Sequence, residues 1–356
     1  MNVRNPDHHR HLWPGVPFAL GSAVLFGLSA PLSKLLIGGI DPWLLAGILY
    51  LGAGLGLAAV HFARRGLGID EVEAPLRMHD VPWLLAVVLF GGVLGPLFMM
   101  MGLSVTAGST ASLLLNIEGL ATMAIAWLVF RENVDRRLLL GAGAILLGAV
   151  VLSWNGSGGT VGVGSLWIVG ACLSWGIDNN LTRKLSSADP VQIAMIKGIA
   201  AGVTNTMLAL TMAAAIPAPS LVVSAAVVGF LGIGVSLVLF MLGLRHLGTA
   251  RTGAYFSAAP FVGAVASLFI FGEGLSLQLV AAGGLMALGI WLHVSERHEH
   301  EHEHEALEHE HMHVHDEHHG HDHDGPVTEP HSHWHRHGPL RHTHPHFPDL
   351  HHRHSH

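Results

Sequence analysis

Chemistry in this sequence begins with a carboxylate set in an apolar run. Glu118 lies in Leu113-Leu114-Leu115-Asn116-Ile117-Glu118-Gly119, with Asn116 the other polar side chain of the stretch. Desolvation favours the neutral form of a carboxyl group, so such a residue suits the carrying of a proton or the binding of a cation. The alternative is a hydrogen-bonded packing residue. Asp178, Asn179 and Asn180 follow one another in a second apolar run. Three consecutive residues turn through about 200° of a helix, so they cannot share one face. Asp178 and Asn179 are the candidates to line a cavity. Lys197 stands in a third run, and Asp178 is its natural partner, as a structural ion pair or as part of a substrate contact. Asn205 and Tyr255 are weaker candidates, for which an interhelical hydrogen bond is the favoured reading.

A second kind of chemistry lies at the end of the chain. Of the 30 histidines, 23 fall between His298 and His356. The first stretch alternates histidine with acid (His298, His300, His302, His304, His309, His311, His313, His315, His321, His323), and the second is nearly free of acid (His331, His333, His335, His337). Imidazole and carboxylate together suit Zn, Ni, Co or Cu(II), and the side chains of i and i+2 in an extended chain point the same way. Such a tract would hold several ions loosely and release them as the imidazoles protonate, below about pH 6.5. The alternative is a solvated polyampholyte that only tolerates metal. Low apolar content and dense charge predict a disordered tail without a core.

The elements that must position Glu118, Asp178 and Lys197 follow from composition. Charged residues make up 12% of the chain and mean hydropathy is +0.47, against about 25% charged residues in a soluble domain. Twelve acids and three arginines fall in the tail from His298 onward, which leaves 13 acids and 15 bases in the first 297 residues. The formal charge of -7 therefore belongs to the tail. Cys172 is the single cysteine, so an intrachain disulfide and a thiolate metal site are both excluded. The residues from Met1 to Leu12 do not read as a cleaved signal peptide.

Ten segments are apolar over the length a membrane helix needs: roughly 15–38, 42–63, 81–102, 105–130, 135–154, 163–184, 190–214, 220–243, 247–271 and 275–295. Lys and Arg set their orientation. With the N-terminus inside, the cytoplasmic connections receive Arg4, Arg10, Arg64, Arg65, Arg77, Arg131, Arg136, Arg137, Arg183, Lys184, Arg245, Arg251 and Arg297, while the outer ones receive only Lys34. Both termini are then cytoplasmic, and the expected location is the inner membrane.

The two halves repeat. Residues 102–154 align without a gap on 243–295 at an offset of 141, matching Gly102 to Gly243, Phe130 to Phe271, Glu132 to Glu273 and Gly148 to Gly289. Arg131, Arg136 and Arg137 become Gly272, Leu277 and Gln278, whereas Ser104 and Thr110 become Arg245 and Arg251. Positive charge has changed ends, as opposite insertion of two five-helix units requires. Glu132 and Glu273 sit at helix ends, where capping is expected. Pro31, Pro96 and Pro260 each free a carbonyl inside a span, and such positions flank binding sites.

On these residues the chain resembles the EamA-type members of the drug/metabolite transporter superfamily. The resemblance covers 15–295 and rests on FGLSAPLSK and WGIDNNLTR in spans 1 and 6, and on FRE…GAG…LLG and FGE…AGG…ALG closing each half. It implies an inverted 5+5 bundle that moves a small metabolite without hydrolysing ATP. One departure stands out: the family often has proline midway along spans 4 and 9, and here span 9 keeps Pro260 while span 4 has Glu118-Gly119.

The expected fold is therefore an all-α membrane protein of ten transmembrane helices in two inverted repeats. Its parts are a cytoplasmic N-terminus (1–13), the first repeat (14–154), an outer loop (155–162), the second repeat (163–295) and the His-rich tail (296–356). The leading function is a proton-coupled metabolite carrier. A carrier of a transition metal (Ni, Co or Zn) or of a metal–metabolite complex, using the tail as collector or sensor, and a non-transporting metal sensor stand as alternatives. No enzyme motif appears, and no cofactor is required, with Ni, Co or Zn ions on the tail as an option. Expected partners are the lipid bilayer, protons, a small-molecule or metal substrate and, as an option, a second copy in a homodimer; nucleic acid is not expected.

Overall fold

The computed structural model describes residues 15–67, 76, 78–130, 136–155, 160–182, 185, 189–247, 249–294, 299–304, 307–313, 331–337 and 340–345. Ten spans make up the membrane part. Span 1 is α1 (Gly15–Ile37) and span 2 is α2 (Pro42–Gly66). Span 3 joins α3 (Val81–Val87) to α4 (Gly95–Val105) through a π-helical turn at Val88–Leu94. Span 4 is broken into α5 (Gly108–Leu114) and α6 (Ile117–Phe130), and span 5 is α7 (Arg136–Ser153). Span 6 is α8 (Val163–Thr182) and span 7 is α9 (Pro190–Thr211). Span 8 joins α10 (Pro219–Gly229) to α11 (Ser236–Leu247) through a second π-helical turn at Phe230–Val235. Span 9 is broken into α12 (Thr249–Phe256) and α13 (Ala259–Phe271), and span 10 is α14 (Leu277–Val294).

Among the described residues, nine helical stretches are long and apolar enough to cross a membrane. The remaining span, α8, has 20 residues, enough to cross, but Asp178, Asn179 and Asn180 near its end lower its hydropathy. The least apolar span thus carries the most polar chemistry.

The repeat seen in the sequence continues in the structure. The broken span, the π turn and the helix ends recur at the same offset: α4 to α7 fall within two residues of α11 to α14 after a shift of 141. Contacts between the halves come in exchanged pairs. A Cβ on Gly148 would stand 2.9 Å from the Ala282 carbonyl oxygen, and one on Gly289 would stand 2.6 Å from that of Gly141. Likewise Gly102 faces Ile168 and Gly243 faces Ala19. A contact that recurs with its partners swapped is the mark of a two-fold axis. With five spans per half, that axis inverts one half relative to the other. Glycine at these positions lets helices meet backbone to backbone, which is how packing replaces the hydrophobic effect in lipid.

Matching caps begin α2 and α9. Asp41 accepts from Trp43 N at 2.9 Å and Leu44 N at 3.3 Å, Asp189 accepts from Val191 N at 2.8 Å, and a proline follows each aspartate. Aspartate satisfies amide groups that the first turn leaves unpaired, and proline has no amide to satisfy. The short strands β1 (Trp154–Asn155) and β2 (Thr160–Val161) pair between the halves.

The described backbone of the tail forms two antiparallel ladders, β3 (Glu299–His304) with β6 (Leu340–Pro345), and β4 (Leu307–His313) with β5 (His331–His337). The period-two alternation of histidine in these stretches is the pattern of an extended strand. The register sets His300 opposite His344, His302 opposite His342, His309 opposite His335, His311 opposite His333 and His313 opposite His331.

Candidate polar site between spans 2, 3, 4, 6 and 7

The site is built on the first π turn. A wide turn and Pro96, which has no amide to donate, leave carbonyl groups of span 3 without helical partners. Other spans supply them. Tyr50 Oη donates to the Gly91 carbonyl at 2.8 Å and Trp175 Nε1 donates to the same oxygen at 3.1 Å. Asn205 Nδ2 donates to the Gly92 carbonyl at 3.0 Å. Two carbonyls of span 3 thereby tie down spans 2, 6 and 7. The glycines themselves make room. A Cβ on Gly91 would collide with the Asp178 carboxylate, and one on Gly92 would meet Ala201 at 2.5 Å.

Asp178 and Lys197 form an ion pair over this floor, with side chains 7% and 19% exposed. Thr182 Oγ1 adds a 3.4 Å contact to the other carboxylate oxygen. The expected partnership of these two residues is formed. Buried charges persist only when paired and hydrogen-bonded, and both conditions are met here.

Glu118 occupies the first turn of α6, directly after the break in span 4. At the break the backbone tightens: Asn116 N donates to Leu113 O at 3.1 Å and Glu118 N to Leu115 O at 3.0 Å. Side chains add to the carbonyls there, Asn116 Nδ2 at Leu113 O (2.8 Å) and Cys172 Sγ at Leu114 O (3.6 Å). A carboxylate at a helix start is favoured by the dipole. Asn179 Nδ2 donates to Glu118 Oε1 and to Thr122 Oγ1, both at 3.1 Å, and Asn180 Nδ2 donates to Thr122 O at 3.0 Å. Glu118 is half-buried, Asn179 and Gly119 are exposed, and Gly119 has open space beside it. Among the described residues no cation stands within ion-pair distance of Glu118. The arrangement therefore pairs a neutralised couple with a carboxylate open to a proton or a cation.

Five of the residues singled out from sequence converge: Glu118, Asp178, Asn179, Lys197 and Asn205. Asn116 turns away from them, toward Leu113 O and Met286 Sδ (3.6 Å), so it braces the break against span 10. Tyr255 lies in α12, next to Phe256, whose ring packs on Phe26 at 5.3 Å and Phe240 at 4.9 Å. The sequence reading missed Tyr50, Thr122 and Trp175. Tyr50 had a signal, being one of two tyrosines and set in an apolar run. His298, His315, His321, His323 and Glu132 lie outside the described residues. Among the described residues no group of three or more His, Cys, Asp or Glu is gathered to hold a metal ion.

With this geometry in place, comparison with known proteins adds three findings. Residues 13–154 and 162–295 each match the model of the EamA-like transporter family. An uncharacterised transporter of Methanothermobacter thermautotrophicus is 28% identical over 297 residues, covering 80% of this chain and 86% of its own length. A protein of known crystal structure superposes with a TM-score of 0.58 at 17% identity, over 78% of this chain and 96% of its own, a likeness of fold.

Proposed function

Because the chain belongs to the EamA-like transporter family and spans the membrane many times, we propose that it is a secondary carrier of a small metabolite coupled to protons at Glu118. One observation carries the reading. Glu118 is half-buried beside the exposed Gly119 and Asn179, is held by Asn179, and has no ion-pair partner among the described residues, while the neighbouring Asp178 and Lys197 neutralise each other. A carboxylate so placed accepts a proton or a substrate cation, and it changes the local charge by one unit when it does. Lys197 can be drawn from Asp178 by a substrate bearing its own negative group, which makes the ion pair a second point of engagement. The distribution of Lys and Arg supports an inner-membrane protein with both termini in the cytoplasm.

Metabolite profiling of cells with and without the chain identifies the substrate. Its accumulation in proteoliposomes under an imposed pH gradient then tests the coupling. Glu118→Gln should abolish gradient-driven accumulation while leaving downhill exchange. If Glu118→Gln accumulates substrate as the parent does, coupling lies elsewhere and the reading fails.

A second reading, transport of Ni, Co or Zn with the tail as collector, is favoured by the backbone register that opposes histidine to histidine at five positions. Removal of residues 298–356 should then reduce cellular uptake or efflux of these metals. Unchanged metal fluxes in both the truncated chain and Glu118→Gln would dismiss it.

A further inference from the structure

The turn between spans 3 and 4 is gripped from both sides. Lys34 Nζ donates to the carbonyls of Leu103 at 2.8 Å and Thr106 at 2.6 Å, where α4 ends. Glu273 accepts from Gly108 N at 2.7 Å and Ser109 N at 3.0 Å, where α5 begins. A cation at a helix end and an anion at a helix start each complement the dipole and satisfy backbone groups left over there. The grips have different origins. Lys34 comes from span 1, in the same half as the turn, whereas Glu273 comes from the connection between spans 9 and 10, in the other half. Gly272, at φ +61°, bends the chain sharply out of α13 just before Glu273, and the Phe271 ring centre lies 6.0 Å from Lys34 Nζ.

The broken spans show what this grip holds shut. Their segments at the Lys34 end, α5 and α13, pack together, with Gly108 against Ser267 and Phe271 and Gly263 against Ser112. Their other segments part company: α6 packs on α8, and α12 packs on α1 and α11. At that opposite end Gly119 and Gly253 are exposed beside open space, and Asn179 is exposed next to Glu118. The polar site therefore opens toward the end where α1 begins and is sealed at the Lys34 end.

We propose that Glu273, with Lys34, is a latch that closes the Lys34 end of the carrier, and that this end opens only when Glu273 leaves the start of α5 and α5 parts from α13. The latch rests on the carrier reading in one respect, that a carrier must open both ends. It does not depend on Glu118 or on the substrate.

The test follows access to the α5–α13 seam in the full chain. Ser112, fully buried at that seam, is replaced by cysteine in a Cys172→Ser background, and a membrane-impermeant maleimide is applied from either face of sealed vesicles. With the latch intact, labelling from the Lys34 face is slow. Glu273→Ala should speed it at least tenfold, and Lys34→Met should act in the same direction, with labelling from the opposite face unchanged. A rate within twofold of the parent in a Glu273→Ala protein that elutes and melts normally overturns the latch. Equal acceleration from both faces also overturns it, as general loosening. If Glu273→Ala does not fold, Glu273→Gln is measured in its place: threefold acceleration from the Lys34 face supports the latch, and anything less overturns it. Failure of Glu118→Gln to affect coupling would leave these outcomes untouched, so the two ideas fail separately.

Discussion

At the scale of single residues, the site is an exercise in matching charge inside a medium that does not solvate it. Asp178 and Lys197 are both well buried, and each is tolerable because the other is there. Removing one partner strands a charge, which in buried pairs costs about 3–5 kcal/mol, whereas removing both costs much less. We therefore expect Asp178→Ala and Lys197→Ala each to lower thermal stability in detergent sharply, and the double variant to recover most of the loss. Additive losses in that cycle would show that the pair does not act as a unit. Much of this was legible in the sequence, because an ionisable residue within an apolar run attracts attention wherever it stands. Glu118, Asp178 and Lys197 were marked that way, and Asn179 and Asn205 by their amides. Tyr50, Thr122 and Trp175 were not, since none of the three is ionisable and a hydroxyl or an indole is ordinary in a membrane helix. What makes them part of the site is the Gly91 carbonyl or the Glu118 turn, and although Pro96 marks a freed carbonyl in the sequence, it does not say which distant side chains reach one.

At the scale of elements, the irregular parts of helices matter more than the regular ones. Hydropathy located the spans, because crossing a membrane imposes a length. It did not locate the interruptions. The break in span 4 falls at Leu115-Asn116, without a proline, and its counterpart in span 9 falls at Ser257-Ala258, before Pro260. Proline is thus not a necessary marker of such a break, and Pro31, inside the unbroken α1, shows that it is not a sufficient one either. The π turns make the same point. Val88–Leu94 is followed by Pro96, but Phe230–Val235 has Leu237 at the aligned position and forms the same turn. Pro96→Ala should accordingly keep the fold and change stability by about 1 kcal/mol at most, read as a small shift in melting temperature. Loss of the folded protein in that variant would mean that the proline, and not the glycine-rich turn, sets the geometry.

At the scale of the whole molecule, a symmetric carrier bears an asymmetric load. The inversion was legible from the exchange of arginines between copies, and the swapped glycine contacts express it in space. Glu118 and the Asp178–Lys197 pair have no equivalents in the partner positions Ala259, Ser29 and, in the register of the matching caps of α2 and α9, Leu49, so the site breaks the symmetry that the scaffold keeps. The tail stands outside the repeat. If it collects metal as proposed, Ni(II) bound by the full chain should be largely released as pH falls through about 6.5, because each imidazole that protonates leaves the metal. The same titration on a chain ending at Arg297 should show little bound metal at any pH, and retention of Ni(II) by that shorter chain would place the binding elsewhere. The two π turns carry a last consequence. A π turn absorbs roughly one residue more than an α turn, so the helix beyond it is out of phase with the helix before it by about 100°. Spans 3 and 8 are therefore phase shifters: α3 and α4 show their neighbours faces that an unbroken helix would have rotated out of view, and α10 and α11 do the same in the other half. Deleting a single residue from Val88–Leu94 would restore an ordinary helix and swing the buried side of α4, with Met99, Met100 and Leu103, round by that angle while leaving α3 in place.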